Sequence, residues 1–218
     1  MNYILNIDTS SPQAQIAISA NGKVLESATN SVQKEHASFL HPAIKKLLNN
    51  CGISASQLAA VAVAIGPGSY TGIRVGLATA KGLCFALNIP LIPLDNLYLL
   101  AASCKQNLKY PRLLCPMIDA RRMEVFTALF NYELDIIHLP KAVVLTNSFL
   151  QEEKMPIIFC GSGAEKFLNV SPDAEIDFKT TATDIKIMCN ISDERFNSGM
   201  FGNIVDTEPF YMKEFYNG

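Results

Sequence analysis

The residues best suited to chemistry form a glycine-rich loop, residues 66–72, which reads GPGSYTG between an apolar segment and a helix-like one. A turn that opens a helix presents backbone N–H groups and the positive end of the helix dipole, which together favour an anion. The loop lacks the Gly-Lys-Ser/Thr ending of a Walker A motif, and Thr71 stands where a dinucleotide fingerprint has its third glycine. The loop could therefore bind an anion or form a tight turn without a ligand, and the sequence leaves both alternatives open. The candidate anion-binding residues of this loop are Gly66, Gly68, Ser69, Thr71 and Gly72.

A second polar cluster, Asp8, Thr9 and Ser10, directly follows the first apolar segment of the chain. Its hydroxyl and amide groups could hold a phosphate, and the carboxylate could hold a hydrated magnesium ion. The alternative is a Ser/Asp turn that closes on itself, which is the commoner arrangement of such residues. These three residues are added to the candidate nucleotide or anion site.

The sequence predicts no catalytic residue and no metal site. His36 and His41 are five residues apart, which places them roughly 140° apart around a helix, and His138 lies in a strand-like segment. No two of the six cysteines have the short spacing of zinc ligands. No Gly-x-Ser-x-Gly nucleophile elbow is present. We expect the cysteines to be reduced, buried thiols of a cytoplasmic protein.

Composition narrows the class of protein. The 218 residues can form one large or two small domains. Apolar residues make up 49% and charged residues 17%, which excludes a disordered chain and leaves more apolar surface than a small monomer needs. A net charge of −2 argues against autonomous, tight RNA binding. Neither a signal peptide nor a membrane span is predicted.

The elements that must position the two polar clusters follow from the apolar pattern of the first half. It predicts strands over 3–7, 15–19 and 24–28 with an Asn-Gly hairpin, a strand over 58–65 and another over 91–94. Helices are predicted over 35–50, with a kink or a late start at Pro42, and over 71–87 and 96–105.

The second half repeats this plan. Strands are predicted over 113–118, 124–130, 134–139 and 157–160, followed by a glycine turn and a helix over 164–168. Asp119 corresponds to Asp8, and the turn at 161–163 corresponds to the one at 66–68. We therefore predict an α/β protein with two duplicated β-β-β-α-β-α domains, residues 1–106 and 107–218.

Six segments carry a resemblance to a known family: residues 4–10, 36–38, 66–76, 80–83, 119–125 and 208–211. In this order they resemble the bacterial TsaB (YeaZ) family over nearly the whole chain, and residues 66–82 are the specific part. The resemblance implies an actin-like, Hsp70-like ATPase (ASKHA) fold. It also implies a role in forming N6-threonylcarbamoyladenosine beside the anticodon of tRNAs, as the non-catalytic scaffold that stabilises and activates the transferase TsaD.

The same resemblance implies partners and cofactors. TsaD, the paralogue, binds a metal through a His-x-x-x-His pair, whereas here Leu40 stands four residues after His36. The implied partners are a TsaD-type paralogue, with which the chain forms a heterodimer, and a TsaE-type ATPase that joins the complex. In isolation the chain could pair with a second copy of itself. Transfer RNA is reached only through the complex, and no membrane is involved. No cofactor is required by this chain, although ATP or ADP with magnesium could bind at the shared interface of the complex.

The subunit interface is expected on the first two helices, where family members pair. The first has a broad apolar stripe, and the second carries small residues on more than one face, which suits close approach of another backbone. The predicted interface residues are Phe39, Leu40, Ile44, Leu47, Arg74, Gly76, Leu77, Ala80 and Lys81. The alternative function is an independent ATPase or kinase-like enzyme, or a peptidase-like one, of the same fold.

Overall fold

The computed structural model describes residues 1–213, apart from the side chain of Gln33, and the chain divides into two compact units. Unit 1 comprises Met1–Asp95 and Ile185–Phe210, and unit 2 comprises Asn96–Asp184 and, at the C-terminal end of the described residues, 211–213. This division differs from the predicted boundary after residue 106. The helix at 96–105 packs on the strands of unit 2, and a C-terminal helix packs on the sheet of unit 1. Residues 214–218 of the predicted second domain lie outside the described residues.

Unit 1 is a five-stranded sheet of order β3-β2-β1-β4-β5, in which β1, β4 and β5 are parallel and β1, β2 and β3 are antiparallel. Its elements are β1 Tyr3–Asp8, β2 Ala14–Ala20, β3 Lys23–Asn30, α1 His36–Asn50, β4 Leu58–Gly66, α2 Tyr70–Leu87 and β5 Leu91–Asp95, to which α4 Ile185–Asn197 returns. The helix α1 is continuous through Pro42.

Helices cover the central strands of unit 1. Leu5 and Ile7 of β1 share one core cluster with α1 and α2, while α4 packs separately against β1, β2, β3 and β5. Seven of the nine residues of β4 are buried, which agrees with the almost continuous apolar sequence of this central strand. The ends of β1 and β4 are thereby fixed beside the start of α2.

Unit 2 repeats the same topology with the strand order β10-β9-β6-β7-β8. Its elements are α3 Asn96–Lys105, β6 Leu113–Asp119, β7 Glu124–Phe130, β8 Ile136–Val144, β9 Ile157–Cys160 and β10 Ile176–Asp177. The parallel trio β6, β9 and β10 corresponds to β1, β4 and β5. The duplication predicted from the sequence is therefore confirmed.

The helices of the second repeat are reduced. Residues 147–152, between β8 and β9, form turns instead of a helix. The helix predicted over 164–168 is a 3-10 helix, Ala164–Asn169. The segment after about residue 170 is more polar and predicts no helix or strand, so α4 is an element that the sequence pattern does not reveal. No helix among the described residues is long and apolar enough to cross a membrane.

Candidate functional site

The two polar clusters predicted from the sequence lie together in unit 1. The Ser69 N–H donates a hydrogen bond to the Ser10 carbonyl at 2.7 Å. The Thr9 hydroxyl donates to the Gly72 carbonyl, also at 2.7 Å. The glycine loop and the turn after β1 are therefore hydrogen-bonded to each other.

The glycines of the loop allow this close approach. A Cβ atom added to Gly72 would lie 1.9 Å from the Thr9 carbonyl oxygen, and one added to Gly68 would lie 2.5 Å from that of Ser10. Gly66 has a φ of +118°, which side chains rarely adopt. The space that Gly68 and Gly72 open is thus filled by carbonyl oxygens, which repel an anion. A tight turn without a ligand accounts for these two glycines, and anion binding stays a prediction.

Ser69 and Thr71, the remaining candidate residues of the loop, lie at the start of α2. Ser69 is the N-cap residue, and its hydroxyl oxygen accepts a hydrogen bond from the Gly72 N–H at 3.3 Å. Such a cap satisfies one of the N–H groups that an anion would otherwise bind. Thr71 is exposed in the first turn of the helix.

Asp8 is buried and bonded within its own turn. Its Oδ1 atom accepts hydrogen bonds from the Ser10 N–H at 2.9 Å and the Ser10 hydroxyl at 2.5 Å. Burial raises the pKa of the Asp8 carboxyl, and the bonds from Ser10 and the nearby His36 oppose this only in part. Because a bound magnesium ion keeps several waters of its own and needs room for them, this buried carboxyl fits a magnesium ion poorly.

His36 is also buried, at the start of α1. Its Nε2 atom lies 3.0 Å from the Ser11 carbonyl oxygen and therefore carries the proton, which leaves Nδ1 without a partner among the described residues. Leu40, four residues on, lies in the apolar core, whereas His41 is exposed. Residues 1–213 contain no group of three or more His, Cys, Asp or Glu side chains that could hold a metal ion.

Asp119 in unit 2 corresponds to Asp8 but has different neighbours. Its Oδ1 atom accepts from the Arg121 N–H at 2.6 Å and from the Lys166 ammonium at 2.5 Å. Partial burial alone would raise the pKa of Asp119, but the hydrogen bond and charge of Lys166, together with Arg121, lower it. A magnesium ion at Asp119 would have to displace the lysine.

Lys166 was not found by the sequence reasoning. It lies 47 residues from Asp119 along the chain, and no motif marks it. Only the pairing of β6 with β9 brings the segment after β9 to the end of β6.

The predicted interface residues divide into a buried set and a set with exposed atoms. The buried set faces the interior of unit 1 and consists of Leu40, Ile44, Leu47, Gly76, Leu77 and Ala80. A Cβ on Gly76 would lie 2.4 Å from the Thr9 hydroxyl oxygen, so this glycine serves packing on β1. These six residues pack inside their own unit, and their direct contact with a partner stays a prediction.

The other three predicted interface residues have local contacts as well as accessible atoms. Phe39 is half-buried against the core of unit 1. The Arg74 guanidinium lies 3.9 Å above the Tyr70 ring. The Lys81 ammonium donates to the Val205 carbonyl at 3.1 Å.

The exposed face of α2 contains a residue that the sequence reasoning missed. Phe85 is 82% exposed, and a Cβ on Gly82 would meet nothing within 4 Å. The exposed residues of this face are Thr71, Arg74, Ala78, Gly82, Phe85 and Ala86. The small residues on more than one face of this helix are apparent from the sequence, and the helical spacing of Ala78, Gly82 and Phe85 is the signal that could have added Phe85.

Comparison with known proteins agrees with this fold. A family model described as TsaD, tRNA N6-adenosine threonylcarbamoyltransferase, matches residues 23–190. A Bacillus subtilis protein named tRNA threonylcarbamoyladenosine biosynthesis protein TsaB is 34% identical over 72% of this chain and 70% of its own length. The chain belongs to the TsaB (YeaZ) family. The resemblance found in the sequence is thereby confirmed.

Two further relatives extend the likeness to nearly the whole chain. The Escherichia coli protein of the same TsaB name is 25% identical over 96% of this chain and 94% of its own. The structure of YeaZ from Pseudomonas aeruginosa superposes with a TM-score of 0.84 at 22% identity, covering 97% of this chain and 100% of that one. At that identity the structural likeness concerns the fold alone, and it agrees with the expected actin-like ATPase (ASKHA) fold.

Proposed function

We propose that this protein is an accessory subunit of the machinery that forms N6-threonylcarbamoyladenosine in tRNA. The observation that carries the proposal is the family membership, since relatives over most of the chain are named for this biosynthesis. The matching family model is that of the transferase itself, which supports a paralogue of this chain as the catalytic subunit.

A non-catalytic role is supported by the chemistry of the residues. Leu40 lies in the core where a second metal-binding histidine of a His-x-x-x-His pair would stand. The Asp8 and Asp119 carboxylates are each bonded within their own unit, to Ser10 and to Lys166 respectively. In this proposal the chain requires no cofactor, and ATP or ADP with magnesium would bind where the subunits of the complex meet.

The exposed face of α2 supports a docking role. Phe85 presents an aromatic ring to solvent beside the small residues Ala78, Gly82 and Ala86, which allow another helix to approach closely. We propose a TsaD-type paralogue as the partner on this face, and a second copy of this chain as the occupant when that partner is missing. A TsaE-type ATPase would join the complex, and tRNA modification would take place in the cytoplasm.

The proposal is tested by purifying the chain with its cognate TsaD-type protein and assaying tRNA modification with and without it. We expect a stable heterodimer and a modification rate that depends on this chain. Full activity of the transferase alone would contradict the proposal. Tight binding and turnover of Mg-ATP by the isolated chain, abolished by Asp8→Ala, would favour an independent enzyme instead.

The docking face is tested by Phe85→Glu, which places a charge at the centre of the proposed contact. A buried aromatic anchor contributes about 2 kcal/mol or more, so we expect the heterodimer to be about thirty-fold weaker. The matched control is Leu139→Glu, because Leu139 is a similarly exposed apolar residue on β8 of unit 2. Equal affinities of the two variants would show that α2 is not the docking face.

A further inference from the structure

Two segments of unit 2 lie side by side and form one surface. The Asn107 side chain donates hydrogen bonds to Asp177 at 3.1 Å and to Thr180 at 2.9 Å. At the other end, the Arg112 guanidinium pairs with Glu175 at 2.6 Å. Residues 105–112, which begin at the last residue of α3, are thus held against residues 175–180, which include β10. We refer to these two segments together as the Tyr110 surface.

The Tyr110 surface exposes aromatic rings and ammonium groups together. Tyr110 is 72% exposed and Phe178 is 62% exposed, although large rings are usually covered in a small domain. Lys109 and Lys179 are exposed next to these rings in the sequence. At the end of α3, the Lys105 ammonium lies 4.7 Å above the ring of Tyr132.

The charge of this surface is opposite in sign to that of the whole protein. Its two segments contain four basic residues and two acidic ones, a net charge of +2, whereas the chain carries −2. Both carboxylates are engaged: Glu175 pairs with Arg112, and Asp177 accepts from Asn107 and Thr180. Lys109 and Lys179 are thus exposed, each adjacent in the sequence to an exposed ring, and both carboxylates of the two segments already have other partners.

We propose that the Tyr110 surface binds single-stranded RNA. Exposed rings stack on unpaired bases of any sequence, and nearby lysines attract the phosphate backbone. An apolar protein partner would match the rings but would leave the lysine charges unpaired. This inference goes beyond the accessory role proposed above, because it gives the chain a direct RNA contact that does not depend on the identity of its protein partner.

The direct test is fluorescence anisotropy of a labelled twelve-nucleotide oligouridine RNA titrated with the full chain. We expect weak binding, with a dissociation constant of about 1–100 µM that rises with salt. A fully paired RNA duplex of the same length should bind less well, since its bases cannot stack on the rings. No binding of the single strand at about 1 mM protein in low salt would overturn the proposal.

Variants locate the contact. The double variant Tyr110→Ala with Phe178→Ala should weaken RNA binding by about tenfold or more, because neither position then offers a ring on which a base can stack. Lys109→Gln and Lys179→Gln should each reduce the slope of log affinity against log salt by about 0.7. Because all four side chains are exposed, the thermal unfolding of the variants should match that of the parent. Unchanged RNA binding by the double aromatic variant would overturn the proposal.

Matched controls test whether the contact is specific to the Tyr110 surface. Leu139→Ala removes an exposed apolar side chain of β8, and Lys154→Gln removes an exposed lysine, both in unit 2, and both variants should leave RNA binding unchanged. Loss of RNA binding in either control would contradict the assignment to the Tyr110 surface. The double aromatic variant should still co-purify with the transferase, so failure of the RNA contact and failure of the accessory role give different results.

Discussion

Asp8 and Asp119 each end the first strand of a unit, but the two units surround the carboxylate in opposite ways. In unit 1 the carboxylate is buried and bonded to a neutral hydroxyl, and its pKa is raised by burial. In unit 2 the side chain is 45% exposed and paired with the Lys166 ammonium, and its pKa is lowered. The same strand order thus supports two different electrostatic arrangements.

The glycine turns that follow the fourth strand of each unit show what the duplication retains. Gly66 and Gly161 both have positive φ, and a Cβ on either would lie within 3 Å of a backbone carbonyl oxygen. The next glycines differ. A Cβ on Gly68 would meet the Ser10 carbonyl oxygen at 2.5 Å, whereas one on Gly163 would first meet a methyl group of Val125 at 2.7 Å.

Asp8 and Asp119 have different surroundings because a different helix follows the glycine turn of each unit. In unit 1 the long helix α2 packs through Gly72 and Gly76 onto the turn after β1, and Asp8, directly before this turn, is buried. In unit 2 the short 3-10 helix that replaces it leaves Asp119 accessible to the side chain of Lys166. The comparison indicates that topology fixes where the carboxylate lies, and that its local surroundings decide in which direction its pKa shifts.

The strongest test of this packing is Gly72→Ala. Its Cβ would lie 1.9 Å from the Thr9 carbonyl oxygen, so the backbone must move, and we expect a loss of about 3 kcal/mol in the free energy of unfolding by urea. The control is Gly82→Ala, in the same helix with no neighbour within 4 Å, which should stabilise by about 0.5–1 kcal/mol. Equal stability of the two variants would contradict the close contact.

The next test compares Gly68→Ala with Gly163→Ala. Both should destabilise, but Gly68→Ala should have the larger effect, about 2 kcal/mol against about 1 kcal/mol, because a carbonyl oxygen yields less readily than a valine methyl group. The measurement is again the free energy of unfolding in urea. A larger effect at Gly163 would show that the turn of unit 2 is the more tightly packed one.

A third test uses pH to separate the two carboxylates. The raised pKa of Asp8 gives stability that is present below its ordinary value of 3.8 and is lost as pH rises through its folded pKa. The lowered pKa of Asp119 gives stability that is present above 3.8 and is lost as pH falls through its folded pKa.

Asp8→Asn and Asp119→Asn should therefore show opposite trends. From about pH 3 to pH 7, Asp8→Asn should gain stability relative to the parent, and Asp119→Asn should lose it, by up to about 1 kcal/mol for the exposed pair. Urea unfolding across this pH range measures both. Trends of the same sign would contradict the contrast between the two units.

The smallest expected effect is that of Lys166→Met. Removing a partly exposed ion pair should change the free energy of unfolding by less than about 1 kcal/mol. It should also raise the pKa of Asp119, which NMR titration of its carboxyl can follow. Lys154→Met, at an exposed position, is the control and should leave that titration unchanged.

The sequence by itself was sufficient for most of the strands, for the duplication and for the family. These features depend on local patterns, such as the short apolar runs of the strands, the Asn-Gly hairpin and the glycine turns, which are present in the residues before the chain folds. It also identified Asp8 and Asp119 as equivalent residues of the two repeats, and it placed Asp8 and the loop at 66–72 in one candidate site.

Tertiary structure decided what those features do. The carbonyl oxygens that face Gly68 and Gly72 and the ammonium that neutralises Asp119 come from segments distant in the sequence. The apolar stripe of α1 and the small residues of α2 were correctly seen, but only the packed sheet decides that the stripe, Gly76 and Ala80 face inward. The other small residues of α2 are exposed together with Phe85. A periodic pattern defines a helical face, whereas the neighbours that cover it are set by long-range packing.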